Sequence, residues 1–186
     1  SDETIATSER RLRAFLEGIP AGTYSAESFV DDDGIVDDPI RVAVHVTVED
    51  GEVLVDFTGS DSQRRGPINA TLSSTESATY YVIMAISDPT IPANFGCYEP
   101  IHIIAPEGTV VNALPPAPVV GRNAITHTIS NVLFAAFSQA LPDRVPAAYY
   151  GMSNVHILAG ESDGSGRSWI FFDIEVGGWG ARPTKD

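Results

Sequence analysis

The sequence has one cysteine, Cys97, and one lysine, Lys185, in 186 residues. A lone cysteine excludes an internal disulfide, and the acidic opening Ser1-Asp2-Glu3-Thr4 lacks the basic and then apolar character of a secretory signal. A reducing, cytoplasmic setting is therefore expected. Basic side chains are scarce, 11 Lys and Arg against 25 Asp and Glu, and the formal charge of −14 repels nucleic-acid phosphates and anionic lipid alike. No run of about 18 uncharged apolar residues occurs, so no membrane-spanning helix is predicted. Neither nucleic acid nor membrane is expected as a partner.

What is present is 43% hydrophobic residues, enough for one sizeable core in a chain of single-domain length. The acids crowd the first third, where Asp31, Asp32, Asp33, Asp37 and Asp38 are nearly contiguous. A solvated, aggregation-resistant surface is the plain reading, and adaptation to salt is the other.

Ser8 predicts the cap of a helix through Arg11, Leu12, Phe15 and Leu16, stopped by Gly18 and Pro20. Ile40, Val42, Val44, Val46 and Val48 alternate with Arg41, His45 and Thr47, and Val53, Val55 and Phe57 resume the pattern after Asp50-Gly51. Residues 40–58 are thus a β-hairpin. Ser73 and Glu76 have capping-box spacing before a helix whose apolar stripe reads Ala78, Tyr81, Met84 and Ala85. Ile101, Ile103 and Ile104 read as a short strand, and Pro115 to Gly121 as a stiff connector. The most regular helix carries Ile125, Ile129, Val132, Leu133, Ala136, Phe137 and Ala140 on one stripe, which should lie on a sheet. Two further strands, 155–158 and 168–176, flank a Gly/Ser-rich loop. Without a strict βαβ rhythm, this order predicts an α+β fold: a mixed β-sheet with a β-hairpin and packed amphipathic helices.

Chemistry-bearing motifs are sparse. No Walker sequence is present, and Gly177-Gly178-Trp179-Gly180 leads into Ala181-Arg182-Pro183 rather than a helix, so it reads as a turning loop. His45, His102, His127 and His156 stand singly, without metal-ligand spacing. Asp31, Asp33, Gly34 and Asp37 imitate a calcium loop, but the glycine comes early and the closing Glu is missing. Cys97 reads as packing rather than as a nucleophile, and no metal site is expected.

Several stretches, in order, resemble the hydantoinase B/oxoprolinase family. They are Asp56-Phe57-Thr58-Gly59-Ser60-Asp61-Ser62-Gln63 continuing to Arg65-Gly66-Pro67-Ile68-Asn69-Ala70, Ile91-Pro92-Ala93-Asn94-Phe95-Gly96-Cys97, Ile104-Ala105-Pro106-Glu107-Gly108-Thr109, residues 139–147, and Gly177-Gly178-Trp179-Gly180-Ala181-Arg182-Pro183. The resemblance covers residues 20–186. It implies a B-type subunit working with a hydantoinase A-type, ATP-using subunit that phosphorylates an amide or enol oxygen, after which the B-type subunit completes ring opening of a small cyclic amide such as a hydantoin, 5-oxoproline or lactam. Ketone carboxylases resemble the same family, so a carboxylase segment is the alternative, and a non-catalytic interaction module is a third reading.

The family's His-x-x-Asp metal motif lies upstream of the matched region, and family members continue past Pro183. Residues 1–186 are therefore expected to be a single domain or a segment of such a subunit, inactive alone, with the rest of its own subunit as a partner. ATP and a divalent metal are expected in the full complex, and no cofactor is expected on this segment. Candidate substrate-binding groups are Ser60, Arg65, Asn69, Asn123, His127, Asn154, Gly177, Gly178, Gly180 and Arg182, whose amides and guanidinium forks suit a cyclic amide or its phosphate. The plainer reading is that Asn69 and Asn154 satisfy their own turns, Asn123 caps its helix and Arg182 makes a surface ion pair. Tyr149 and Tyr150 are expected to be exposed, as at an interface.

Overall fold

In the computed structural model the chain runs α1 (Asp2–Glu17), β1 (Gly22–Val30), β2 (Ile40–Glu49), β3 (Glu52–Asp56), α2 (Leu72–Ile86), a 3-10 turn (Phe95–Cys97), β4 (Ile101–Ile104), α3 (Asn123–Ser138), β5 (Ser153–Ser162) and β6 (Arg167–Val176). The structure describes residues 2–150, 153–162, 164, 166–178 and 180–182. Strands β1 to β4 form one sheet in sequence order, antiparallel except for the parallel pair β3–β4, while β5 and β6 form a separate antiparallel pair. The fold is α+β with a mixed sheet, as the element order predicts.

The β2–β3 hairpin turns at Asp50 and Gly51, with φ of 49° and 74°, the left-handed backbone that an Asp-Gly pair accommodates. Ile40, Val42, Val44, Val46 and Val48 of β2 and Val53, Val55 and Phe57 of the β3 arm are all buried. They join one core with Leu12 and Leu16 of α1 and with Ile125, Ile129, Val132, Leu133, Ala136 and Phe137 of α3. The predicted stripe of α3 does lie on the sheet, against β1 and β2, and the helix also packs on α2.

Three expectations are corrected. The first helix starts at Asp2, not Ser8, which is buried mid-helix, donating to the Pro92 carbonyl at 3.2 Å and accepting from Asn94 Nδ2 at 2.8 Å. Its tertiary partners, rather than a helix end, satisfy the hydroxyl. The cap of α2 is Thr71 and not Ser73. The buried face of α2 is Thr75, Ala78, Thr79, Val82, Ile83 and Ile86, leaving Tyr81 and Ala85 exposed. Thr75 Oγ1 donates to the Val111 carbonyl at 2.5 Å and Thr79 Oγ1 to the Thr75 carbonyl at 2.9 Å, so two threonines occupy core positions that an apolar count passes over.

β1 was not among the predicted elements. Its alternation is blurred by Ser28 on the inward face and by Phe29, exposed on the outward one, as befits an edge strand. Cross-strand polar pairs hold it: Thr23–Thr47 at 2.9 Å, Ser25–His45 at 2.8 Å, and Arg41–Glu27 at 2.6 Å.

Candidate functional site

The loop before α2 and the loop before α3 are tied together, and Asn69 is the knot. Its side chain is fully buried; Oδ1 accepts the Arg64 N–H at 2.7 Å, and Nδ2 donates to the carbonyls of Arg64, Gly66 and Pro118 at 2.9, 3.0 and 2.9 Å. Beside it the Gly121 N–H donates to the Pro67 carbonyl at 2.7 Å, and a Cβ on Gly121 would sit 3.2 Å from that oxygen. These bonds bring the starts of α2 and α3 to the same end of the molecule.

Between those starts lies a groove of about 490 Å³. Ser73, Ser74 and Ser77 of α2 face Arg122, Thr126, His127 and Ser130 at the start of α3, with Tyr81 and Tyr149 closing one side. Neither helix carries an acid in its first turn, and α3 has no side-chain cap. Helix starts present backbone N–H groups and partial positive charge, so a groove lined with hydroxyls, an imidazole and a guanidinium favours a polar or anionic guest.

His127 is the titratable centre of the groove. One ring nitrogen lies 3.1 Å from the Tyr149 hydroxyl and the other 3.3 Å from Ser153 Oγ, and the two rings meet edge-on with centroids 5.9 Å apart. Burial holds the imidazole below its ordinary pKa, favouring the neutral ring, and burial likewise raises the Tyr149 phenol. A neutral imidazole offers one donor and one acceptor, and here the Tyr149 and Ser153 hydroxyls occupy the two, the Ser153 contact being the longer.

A second groove of about 380 Å³ shares Tyr81 and Tyr149 with the first and runs past Arg144, Gly180 and Arg182. Arg144 is committed to structure, donating to the Ile86 carbonyl at 3.2 Å and lying 5.4 Å over the Phe15 ring. A Cβ on Gly180 would fall 1.8 Å from the Ala147 carbonyl oxygen, so only glycine lets these segments approach.

Of the sequence candidates, the structure brings His127, Gly180 and Arg182 to these adjoining grooves. Asn154 and the glycine pair stand behind them around Tyr150: Asn154 Nδ2 donates to its hydroxyl at 3.0 Å, Gly177 lies against its ring, and the Gly178 carbonyl accepts its N–H at 3.2 Å. Ser60 is elsewhere, paired with the N–H and carbonyl of Ala43 at 3.1 and 3.2 Å, and Arg65 is exposed outside both grooves. Asn123 is the first residue of α3 rather than its cap, which is Arg122. Among the described residues Arg182 makes no ion pair, and Tyr149 is half-buried rather than exposed. Trp179 lies outside the described residues.

Sequence reading passed over Arg122, Ser73, Ser74 and Ser77. The Ser73–Glu76 spacing masked them at α2 by putting an acid in the first turn, and only the cap at Thr71 moves Glu76 beyond it. Among the described residues no three His, Cys, Asp or Glu side chains gather to hold a metal ion. Cys97 is buried, with Sγ 2.9 Å from the Asn94 carbonyl.

An uncharacterized protein of Methanocaldococcus jannaschii is 38% identical over 76% of this chain and 24% of its own length. A Pseudomonas protein assigned as the B subunit of a D-/L-hydantoinase is 32% identical over the whole chain and 33% of its own length. The crystal structure of the ATP-dependent caprolactamase from Pseudomonas jessenii superposes with a TM-score of 0.80 at 27% identity, over 91% of this chain and 29% of that one. The chain therefore spans from a quarter to a third of the length of these relatives. Residues 1–186 match the family described as hydantoinase B/oxoprolinase end to end, and the chain belongs to that family.

Proposed function

We propose that this chain is a segment of the B-type subunit of an ATP-dependent cyclic amide hydrolase and supplies one wall of its substrate site. The observation that carries the reading is the groove at the paired starts of α2 and α3, lined by Arg122, His127 and hydroxyls without a carboxylate in a chain of charge −14. That lining suits a cyclic amide, and suits the anionic phosphorylated species made from it better still. The hydantoinase and caprolactamase relatives support the substrate class.

In this reading an A-type partner subunit transfers the terminal phosphoryl group of ATP to the amide oxygen. Water then adds at the amide carbon, the ring C–N bond breaks to leave a free amine and an acyl phosphate, and a second water hydrolyses the acyl phosphate to the carboxylate and free phosphate. Arg122 and the helix starts hold the phosphoryl oxygens, and neutral His127, oriented by Tyr149, exchanges its 3.3 Å contact with Ser153 Oγ for a hydrogen bond from the substrate or its water. ATP and a divalent metal belong to the full cytoplasmic complex. The described residues do not fit a metal ion, and no step here is assigned to one.

The test uses the complete B-type polypeptide containing this sequence together with its A-type partner. ATP-dependent opening of a hydantoin, 5-oxoproline or caprolactam is expected, with Arg122→Ala lowering kcat/KM about ten-fold or more. Unchanged kinetics in that variant would remove the groove from the site. Incorporation of labelled bicarbonate into a ketone, without ring opening, would replace the hydrolase reading with the carboxylase one.

A further inference from the structure

The β5–β6 hairpin has an apolar face that the other described residues leave exposed. In the register Val155↔Ile174, Ile157↔Phe172 and Ala159↔Ile170, directly opposed residues share a face, which Val176 continues beside Ser153. Yet Ile157, Ile170 and Val176 are 63%, 75% and 71% exposed. The opposite face is polar near its foot, with Asn154, Asp173 and a His156–Glu175 pair at 3.4 Å, and apolar only toward the tip, at Leu158, Phe171 and Trp169. This alternation is the pattern of a strand pair buried on one side. An isolated two-stranded hairpin is at best marginally stable in water, so the face needs a cover.

We infer that the face formed by Val155, Ile157, Ala159, Ile170, Phe172, Ile174 and Val176 docks against another part of the same B-type polypeptide, in the two-thirds or more of the family's length that lies outside the matched segment. Relatives of this chain carry that additional length within one polypeptide. Size argues against a second copy. Ten residues at about 3.4 Å give a face roughly 34 Å long and about 10 Å wide, or about 340 Å², well under the ~800 Å² per partner of a stable interface. Cover from the same polypeptide avoids the entropy of bringing two molecules together. Charge argues the same way, because two copies would each bring −14.

The foot of this face comes close to His127: Ser153 shares it with Val176 and lies 3.3 Å from the His127 ring. The inference rests on family membership, not on the reaction proposed above.

Cysteine labelling reads it directly. Ile170→Cys and His156→Cys probe the two faces, with modification by a maleimide followed by peptide mass, against a native Cys97 that is buried. In the complete B-type polypeptide without its A-type partner, Ile170→Cys is expected to react at least ten-fold more slowly than His156→Cys, and the two are expected to react alike once the polypeptide is unfolded in urea. Shielding that appears only when the A-type subunit is added would overturn the inference in favour of that partner. Shielding that rises with the concentration of the polypeptide, alongside dimer, would overturn it in favour of a second copy. Equal reactivity of the two variants in the folded polypeptide would overturn it outright. Because labelling reads geometry rather than turnover, a complex that opens no ring leaves this result standing, and the converse holds too.

Discussion

Asp33 Oδ2 accepts the backbone N–H of Gly66 at 2.9 Å, while Oδ1 of the same carboxylate accepts those of Val36 and Ile35 at 2.7 and 2.9 Å. One member of the acidic run is therefore a buried staple between two loops, its carboxyl held below the ordinary range first by the Val36 N–H and then by those of Gly66 and Ile35. Gly66 fits because it has no side chain: a Cβ there would sit 1.8 Å from the Asp33 carbonyl oxygen. Gly66→Ala is expected to cost about 2–3 kcal/mol in urea unfolding, against about 1 kcal/mol for Gly108→Ala, where only a positive φ opposes the change. Equal costs at both positions would show that the loop yields and the staple is slack.

Asn69 is expected to matter through the fold before it matters through any substrate. Asn69→Ala strands the Arg64 N–H and three carbonyl groups in a buried site, at about 2–4 kcal/mol. Asn69→Asp keeps an acceptor for the Arg64 N–H but loses the donor that serves three carbonyls. Both variants are expected to melt well below the parent in thermal scans of the chain, whether or not substrate is present. A melting temperature within a degree of the parent would return Asn69 to the list of purely functional groups.

The difference between what was legible in sequence and what was not follows the physics of each residue. The alternation of Ile40 to Val48 around Asp50-Gly51, and the stripe from Ile125 to Phe137, could be read because local periodicity alone decides them. Ser8 could not, because what makes it an interior residue is Pro92 and Asn94, some eighty positions away. β1 was hidden by Ser28 on its inward face and Phe29 on its outward one, and the buried face of α2 by its threonines. At the site, His127 and Arg182 stood out as isolated polar groups. The meeting of two helix starts around Arg122 depends on the Asn69–Pro118 bond, a tertiary fact no spacing contains.

Asp88 gives the chain an acid-sensitive joint between α1 and the end of α2. Its pKa is lowered to about 2, first by the Thr90 N–H, then by the Thr90 hydroxyl, then by Arg11, which reaches it at 2.6 Å. A carboxylate held below its unfolded value of 3.8 contributes stability that is complete above about pH 4 and lost as pH falls through about 2. Asp88→Asn is expected to melt lower than the parent at pH 5, with the gap closing as pH approaches 2. A gap that stayed constant with pH would mean that the joint is not held by charge.

His127 has the opposite charge type but the same direction of dependence. Burial holds its pKa below 6.5, so the neutral ring dominates at pH 7 and its contribution to stability is present above 6.5 and lost as pH falls through the lower folded value. An NMR titration of the ring protons is expected to show a midpoint below 6.5 that moves in Tyr149→Phe, which removes the hydroxyl 3.1 Å from one ring nitrogen. In the complete complex, His127→Gln is expected to lower kcat by about ten-fold or more, because an amide keeps hydrogen bonding but cannot take up a proton. If ring opening needs the neutral imidazole, the acid limb of the parent's pH–rate profile should fall at the titrated midpoint and be absent from the glutamine variant. A midpoint above 6.5 would mean a charged ring at the groove, and His127 would then serve as a cation for the phosphoryl oxygens alongside Arg122 rather than as an acceptor.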